Sequence, residues 1–235
     1  MSQAIGKIST PRTVVVVGAT NEVGKAVAQV LTGRGHIVRG VARSLGVALD
    51  DRDALASAFS GAGAYVMIPF DITAPDLHRF EDEVGARLAA AIAKSGVRRV
   101  VLLSGLNAHL RMGTSLGAAL MEERLAALGL HELVFLRASF FMENFAKGMG
   151  FVQQAASGIF MTPFRGDPPM PLIAASDVGQ RAAALLDATR FQASGSSNCM
   201  AAATMPWSRP PRSLAARWGG RSLTRRPHSL RRAPG

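Results

Sequence analysis

Residues 14–24 read "VVVVGATNEVG", four valines running directly into a glycine-rich turn. A short β-branched run ended by glycine is the pattern of a buried parallel strand, here residues 13–18. Val23, Val27, Val30 and Leu31 then recur at helical spacing on one face. A strand, a tight turn and a helix start bring unpaired backbone N–H groups together, and such a turn can hold a phosphate. Gly18 permits the turn, and Gly24 lets the helix pack close to the sheet. Thr20 and Val23 lie within the same loop. Asn21 stands where the backbone approaches a pyrophosphate most closely, a place usually held by glycine. Asparagine tolerates positive φ better than other residues with side chains, so a partial loss of binding is expected there. Glu22 is expected to face solvent. The competing reading is a plain strand–helix turn with no ligand.

Arg43 closes a second strand, at about residues 36–42. An acidic residue there would bond an adenosine ribose and favour NAD. An arginine suits the 2′-phosphate of NADP, and Ser44 offers the same phosphate a hydroxyl. A solvated arginine at a strand end is the alternative. Groups for proton transfer are scarce. The single tyrosine, Tyr65, falls inside a predicted strand, and no lysine follows it within Val66–Pro69. A Tyr-x-x-x-Lys pair is therefore absent. His109 and His131 stand alone, one in a loop and one at the surface. Ser104 either hydrogen-bonds a carbonyl or caps a turn. No catalytic general acid is assigned. One cysteine, Cys199, excludes a disulfide framework and a cysteine-rich zinc site, and no metal is expected.

These groups need elements to hold them. "GAYVMIPF" reads as a third strand near 64–69, after a short helix at "ALASAF". "DLHRFEDEVGARLAAAIAKSG" is a long helix stopped by Gly96. "VRRVVLLSGL" and "ELVFLRAS" are strands on either side of the helix "AALMEERLAALGL". The alternation predicts an α/β doubly wound parallel sheet of Rossmann type. Between Arg43 and Asp50 there is too little chain for a helical crossover, which needs at least ~10–12 residues. The helix expected after strand two is missing or collapsed, and "GVAL" is at most the stub of an edge strand.

The segments "VVVGATNEVGKAV", "DDRDALASAFSGAGAYVMIP", "GVRRVVLLSGLNA", "LVFLRASFFMENF" and "MPLIAASDVGQRAAALL" together resemble the NmrA-like family of atypical short-chain dehydrogenase/reductase relatives. The resemblance implies a Rossmann fold, an NAD(P) cofactor and a small C-terminal substrate lobe. It implies cofactor contacts at Gly18, Thr20, Asn21, Val23 and Gly24, with Arg43 beyond strand two. Pro69 and Phe70 would border the adenosine and ribose, and Ser104 and Gly105 the nicotinamide. Phe141, Glu143 and Asn144 of "FFMENF" would line the substrate cleft; Asn144 alternatively only ties down its loop. Ala48 replaces an acidic residue usual in the family pattern. Members of the family that the chain resembles include NAD(P)H-dependent reductases, quinone reductases among them, and redox sensors that bind cofactor without turnover. Two functions follow as expectations: reduction of a small electron-poor acceptor with NADP(H) favoured over NAD(H), or a non-catalytic NADP(H)-sensing module acting on a regulatory protein partner.

The net charge of +11 belongs to one end. Residues 191–235 hold eight arginines, no lysine and no acid, which leaves 19 basic against 16 acidic residues before them. The tail has little aromatic interleaving, with Trp207 and Trp218 alone, so nucleic-acid binding is not the expectation. Three segments are expected: a flexible 1–12, an NAD(P)-binding domain at 13–193, and an arginine-rich, mostly disordered tail at 194–235 standing where the substrate lobe is truncated. A shifted reading frame from about 195 would account for the abrupt change of composition; a natural basic tail is the alternative. No apolar run approaches the ~20 residues of a membrane helix, and "MSQAIGKISTPRT" lacks the apolar core of a signal peptide, so a cytoplasmic protein is expected.

Overall fold

The computed structural model describes residues 11–71, 73–147, 151–156, 169–188, 195–199 and 204–206. In chain order the elements are β1 (Thr13–Val17), α1 (Glu22–Gly33), β2 (Ile37–Val41), α2 (Arg52–Phe59), β3 (Gly63–Val66), α3 (Leu77–Ser95), β4 (Arg99–Gly105), α4 (Leu116–Ala127), β5 (Glu132–Ala138), β6 (Phe140–Phe141), α5 (Asn144–Lys147), α6 (Phe151–Ala156), β7 (Pro169–Ile173), α7 (Ala175–Asp187), β8 (Gly195–Cys199) and β9 (Thr204–Pro206). They fall into two units. The first holds residues 1–139 and 173–200, the second 140–172 and 201–235.

The first unit is built on a six-stranded sheet in the order β2-β1-β3-β4-β5-β8. Every pairing is parallel, with Val14 beside Val38, Val16 beside Tyr65, Tyr65 beside Val101 and Ser104 beside Arg137. Side chains alternate between the faces. Val15 and Val17 join Leu55, Phe59, Val84, Leu88, Ile92, Leu102, Met121 and Leu125 in one buried cluster, which α2, α3 and α4 cover. The opposite face carries α1 and α7, which touch closely: a Cβ on Gly179 would run into Ala26. Arginines clamp the end of α7. Arg12 donates to the carbonyls of Leu186 and Ala188, at 3.3 and 3.0 Å, and Arg99 donates to Leu186 at 2.8 Å. Guanidinium groups there satisfy helix-end carbonyls and complement the helix dipole. Buried His36 bonds Asp187 at 2.8 Å through Nε2 and accepts the Arg12 N–H at Nδ1.

The doubly wound parallel sheet expected from the sequence is present. Three local features refine the sequence reading. β3 ends at Val66 rather than residue 69: Met67 and Ile68 already lie beyond the ladder, and Pro69 has no N–H with which to resume it. Between β2 and α2 the chain makes one 3₁₀ turn, Arg43–Leu45, closed by Gly46 at φ 82°, and "GVAL" forms no strand. That leaves β2 at the sheet edge with Ile37 61% exposed. Regular structure also continues past residue 193, since β8 extends the sheet and β9 pairs with β7.

In the second unit β6, β7 and β9 form a small sheet, with β7 and β9 antiparallel and Met170 opposite Met205. Phe140 and Phe145 meet edge to face, ring centres 5.8 Å apart. The expected flexible start (residues 1–10 of it) and most of the expected tail, including 207–235, lie outside the described residues.

Candidate functional site

In open α/β sheets ligands bind at the carboxyl ends of the strands. In the first unit that rim is formed by Gly18 after β1, Arg43 after β2, Met67–Phe70 after β3, Ser104–Gly105 at the end of β4 and Ser139 after β5.

The turn after β1 is tightly determined. Gly18 has φ 74°, its N–H donates to Val41 O at 2.9 Å, and its carbonyl accepts the Asn21 N–H at 3.0 Å. A Cβ at Gly24 would overlap the Gly18 carbonyl and lie 3.1 Å from the Ala19 Cα. Both neighbours are backbone and cannot yield, so glycine is required at 24 because the first turn of α1 sits on the loop itself. Thr20 is exposed and Val23 buried, while Glu22 is exposed as expected.

Asn21 behaves differently from the sequence reading. Its backbone is extended (φ −85°, ψ 172°), so positive-φ tolerance is not what it supplies. It is the N-cap of α1: Oδ1 accepts the Gly24 N–H at 2.8 Å, and Nδ2 rests against the Met67 sulfur. N-caps satisfy one of the N–H groups that a helix start leaves unpaired.

Arg43 is exposed at the start of its 3₁₀ turn, with Ser44 exposed beside it. Asp71, on the neighbouring loop, is held below the ordinary carboxyl range. The chief cause is Thr73, whose hydroxyl and N–H donate to it at 2.6 and 2.9 Å; the Arg43 charge adds a smaller contribution. Pro69 is half-buried, and Phe70 is 51% exposed.

Ser104 is buried and its hydroxyl is committed. It donates to Glu122 Oε1 at 2.5 Å, and Arg137 grips the same carboxylate at 2.9 Å from Nε and 2.6 Å through its terminal nitrogen. This pair of charges raises the Arg137 pKa, chiefly through the hydrogen bond. Ser104 therefore ties β4 to α4 and β5 and is not free to hold a carbonyl. Sequence reasoning missed Glu122 and Arg137. The one trace was an acid on the apolar face of a helix, beside Met121 and Leu125. Gly105 lies against Ser115, where a Cβ would come 2.5 Å from Oγ.

A second buried acid, Glu81 of α3, was also missed. It takes the backbone N–H of Gly117 in the first turn of α4 and meets His78 at 3.2 Å. Ser115, the N-cap residue of α4, makes no such bond, so Glu81 caps that helix from outside. Burial raises its pKa. Tyr65 is completely buried in β3, and its hydroxyl has no hydrogen-bond partner. His109 and His131 are exposed. Phe141, Glu143 and Asn144 are half-buried in the second unit, where Asn144 starts α5. Among the described residues no His, Cys, Asp and Glu cluster could hold a metal ion, and no helix is long and apolar enough to cross a membrane.

The model of the NmrA-like family matches residues 10–205. The chain belongs to the NmrA-like family. No curated protein matches the chain. Among solved structures, the Citrobacter sp. triphenylmethane reductase complexed with NADP(H) is 15% identical, with a TM-score of 0.69 over 90% of this chain and 78% of that one. The NADPH-dependent quinone oxidoreductase QOR2 of Escherichia coli, complexed with NADPH, is 18% identical, with a TM-score of 0.65 over 88% and 76%. A short-chain dehydrogenase/reductase superfamily protein of Agrobacterium tumefaciens with bound NAD is 20% identical, with a TM-score of 0.65 over 87% and 82%. This member of the family thus has the fold of NAD(P)-binding short-chain dehydrogenase/reductase relatives.

Proposed function

We propose that the chain binds a nicotinamide dinucleotide on the rim of its first unit, with NADP(H) favoured over NAD(H), and serves as a reductase of small electron-poor acceptors such as quinones. The observation that carries this reading is the loop: Gly24 packed on the Gly18 carbonyl, at the start of a helix that follows the first parallel strand. Gly24 admits no Cβ, and the N–H groups of the turn and of the first turn of α1 would face a pyrophosphate. Thr20, Asn21 and Val23 complete the cradle, and Arg43 with Ser44 would hold a 2′-phosphate. Pro69 and Phe70 would border the adenosine, and Gly105 the nicotinamide. Phe141, Glu143 and Asn144 are assigned to the acceptor by the family resemblance.

When bound, the nicotinamide supplies a hydride. The chain's own part is to orient the nicotinamide and the acceptor; an acceptor of this class takes its proton from solvent. That matters because neither Tyr65 nor Ser104 is placed to donate one. Tyr65 is sealed in the core, and Ser104 is bonded to Glu122. The same observation favours a second reading, a cofactor-sensing module without turnover that acts on a protein partner. NADPH oxidation followed at 340 nm with a panel of quinones separates the two. Acceptor-dependent oxidation supports the reductase. Tight NADPH binding with no oxidation by any acceptor supports the sensor. A cytoplasmic location is part of either proposal.

A further inference from the structure

We infer that Asn21 is a latch on the phosphate loop: in the free protein its side chain takes the place of a bound phosphate, and a dinucleotide must turn it out. The inference rests on the nucleotide-binding reading above. Two observations carry it. Oδ1 accepts the Gly24 N–H at 2.8 Å, so one of the donors at the start of α1 is already spent on the protein itself. Nδ2 lies over Gly18 against Met67: a Cβ built on Gly18 would strike Nδ2 and come 2.6 Å from the Met67 sulfur. The amide therefore fills the hollow above the turn, between β1 and the chain leaving β3.

A pyrophosphate and this amide want the same things. Each seeks N–H groups of the first turn and the space over Gly18. They differ in charge, since the phosphate gains from the helix dipole and the neutral amide does not. Binding thus proceeds by exchange, and the cap lost to the ligand is subtracted from the affinity. The loop stays ordered when empty, because Asn21 satisfies the helix start that a glycine would leave to water.

The latch makes stability and affinity move in opposite directions. Asn21→Gly removes the competitor and barely weakens the helix, since glycine is itself an acceptable N-cap. Its Kd for NADPH should fall about twofold, because the affinity gained equals the small advantage that asparagine holds over glycine as an N-cap. Asn21→Asp keeps the cap but sets a carboxylate against the phosphate. It should hold or raise Tm and weaken NADPH by about tenfold or more. The experiment is calorimetric titration of NADPH and of NADH into wild type, Asn21→Gly and Asn21→Asp, with thermal unfolding of each. Hydrogen exchange at the Gly24 amide is a third readout, expected to be protected in the free wild type and faster in Asn21→Gly. If wild type binds and Asn21→Gly binds equally or more weakly, the latch is refuted and the amide is a ligand contact. If affinity simply follows Tm across the three proteins, Asn21 is only structural. If none of them binds NADPH or NADH, the nucleotide-binding reading fails, and the latch fails with it.

Discussion

Replacing Tyr65 by phenylalanine removes a single oxygen from the centre of the sheet. The side chain is fully buried, flanked by Val16 on β1 and Val101 on β4, and its hydroxyl has no partner. Burial also pushes the phenol far above its ordinary pKa, so it stays protonated at any working pH. An unpaired buried hydroxyl costs roughly 1–3 kcal/mol relative to a satisfied one. Against this, phenylalanine leaves a gap smaller than a methyl group, worth less than about 1 kcal/mol. The net is a gain of about 1 kcal/mol, or a rise in Tm of roughly 2–4 °C for a chain of this length. Urea unfolding should show a higher midpoint with an unchanged m-value. Cofactor binding and turnover should match wild type, because the hydroxyl reaches neither. A lower midpoint would refute the reasoning, since it would mean that a buried water or a shifted neighbour satisfies the oxygen. Lost turnover at undiminished stability would return tyrosine chemistry to the site.

Gly24→Ala should cost roughly 1–3 kcal/mol of stability and abolish measurable NADPH binding, because the new methyl meets backbone at Gly18 and Ala19; calorimetry and thermal unfolding test both. Glu122→Gln keeps an acceptor for Ser104 but strands the Arg137 charge, and should lower stability by roughly 2–3 kcal/mol in urea unfolding, below the usual range for buried pairs because Arg137 keeps some water. Glu81 carries a raised pKa, so its folded form takes up a proton before the unfolded form does as pH falls. Its favourable contribution is complete below the unfolded pKa and lost as pH rises through the folded one. Glu81→Gln, which still accepts the Gly117 N–H, should therefore raise Tm at neutral pH and give no gain near about pH 4, as thermal scans across pH will show.

The strands β1 to β5 were legible because each is an apolar run at a turn-defined spacing, and α1 and α3 because their apolar faces keep helical period. The end of β3 was not legible because "MIPF" stays apolar past Val66, the last residue of the ladder. β8 was invisible. "GSSNC" has no apolar pattern, and its pairing with Val134–Ala138 comes from the partner strand rather than from its own residues. At the site, Gly18 and Gly24 could be read, since glycine marks close backbone approach. The task of Asn21 could not, because a cap is a choice of rotamer that local spacing does not fix. The Ser104–Glu122–Arg137 cluster was hidden for another reason: its members lie on three elements and meet only when α4 docks between β4 and β5.

The most direct test is titration of NADPH and NADH into wild type and Arg43→Ala. Wild type should bind both, with NADPH tighter by about tenfold, the worth of one charge-assisted contact at an exposed arginine with Asp71 nearby. Arg43→Ala should bring NADPH to the level of NADH and leave NADH where it was. Equal affinities in the wild type, or binding of neither cofactor, would contradict the assignment of this rim to NADP(H).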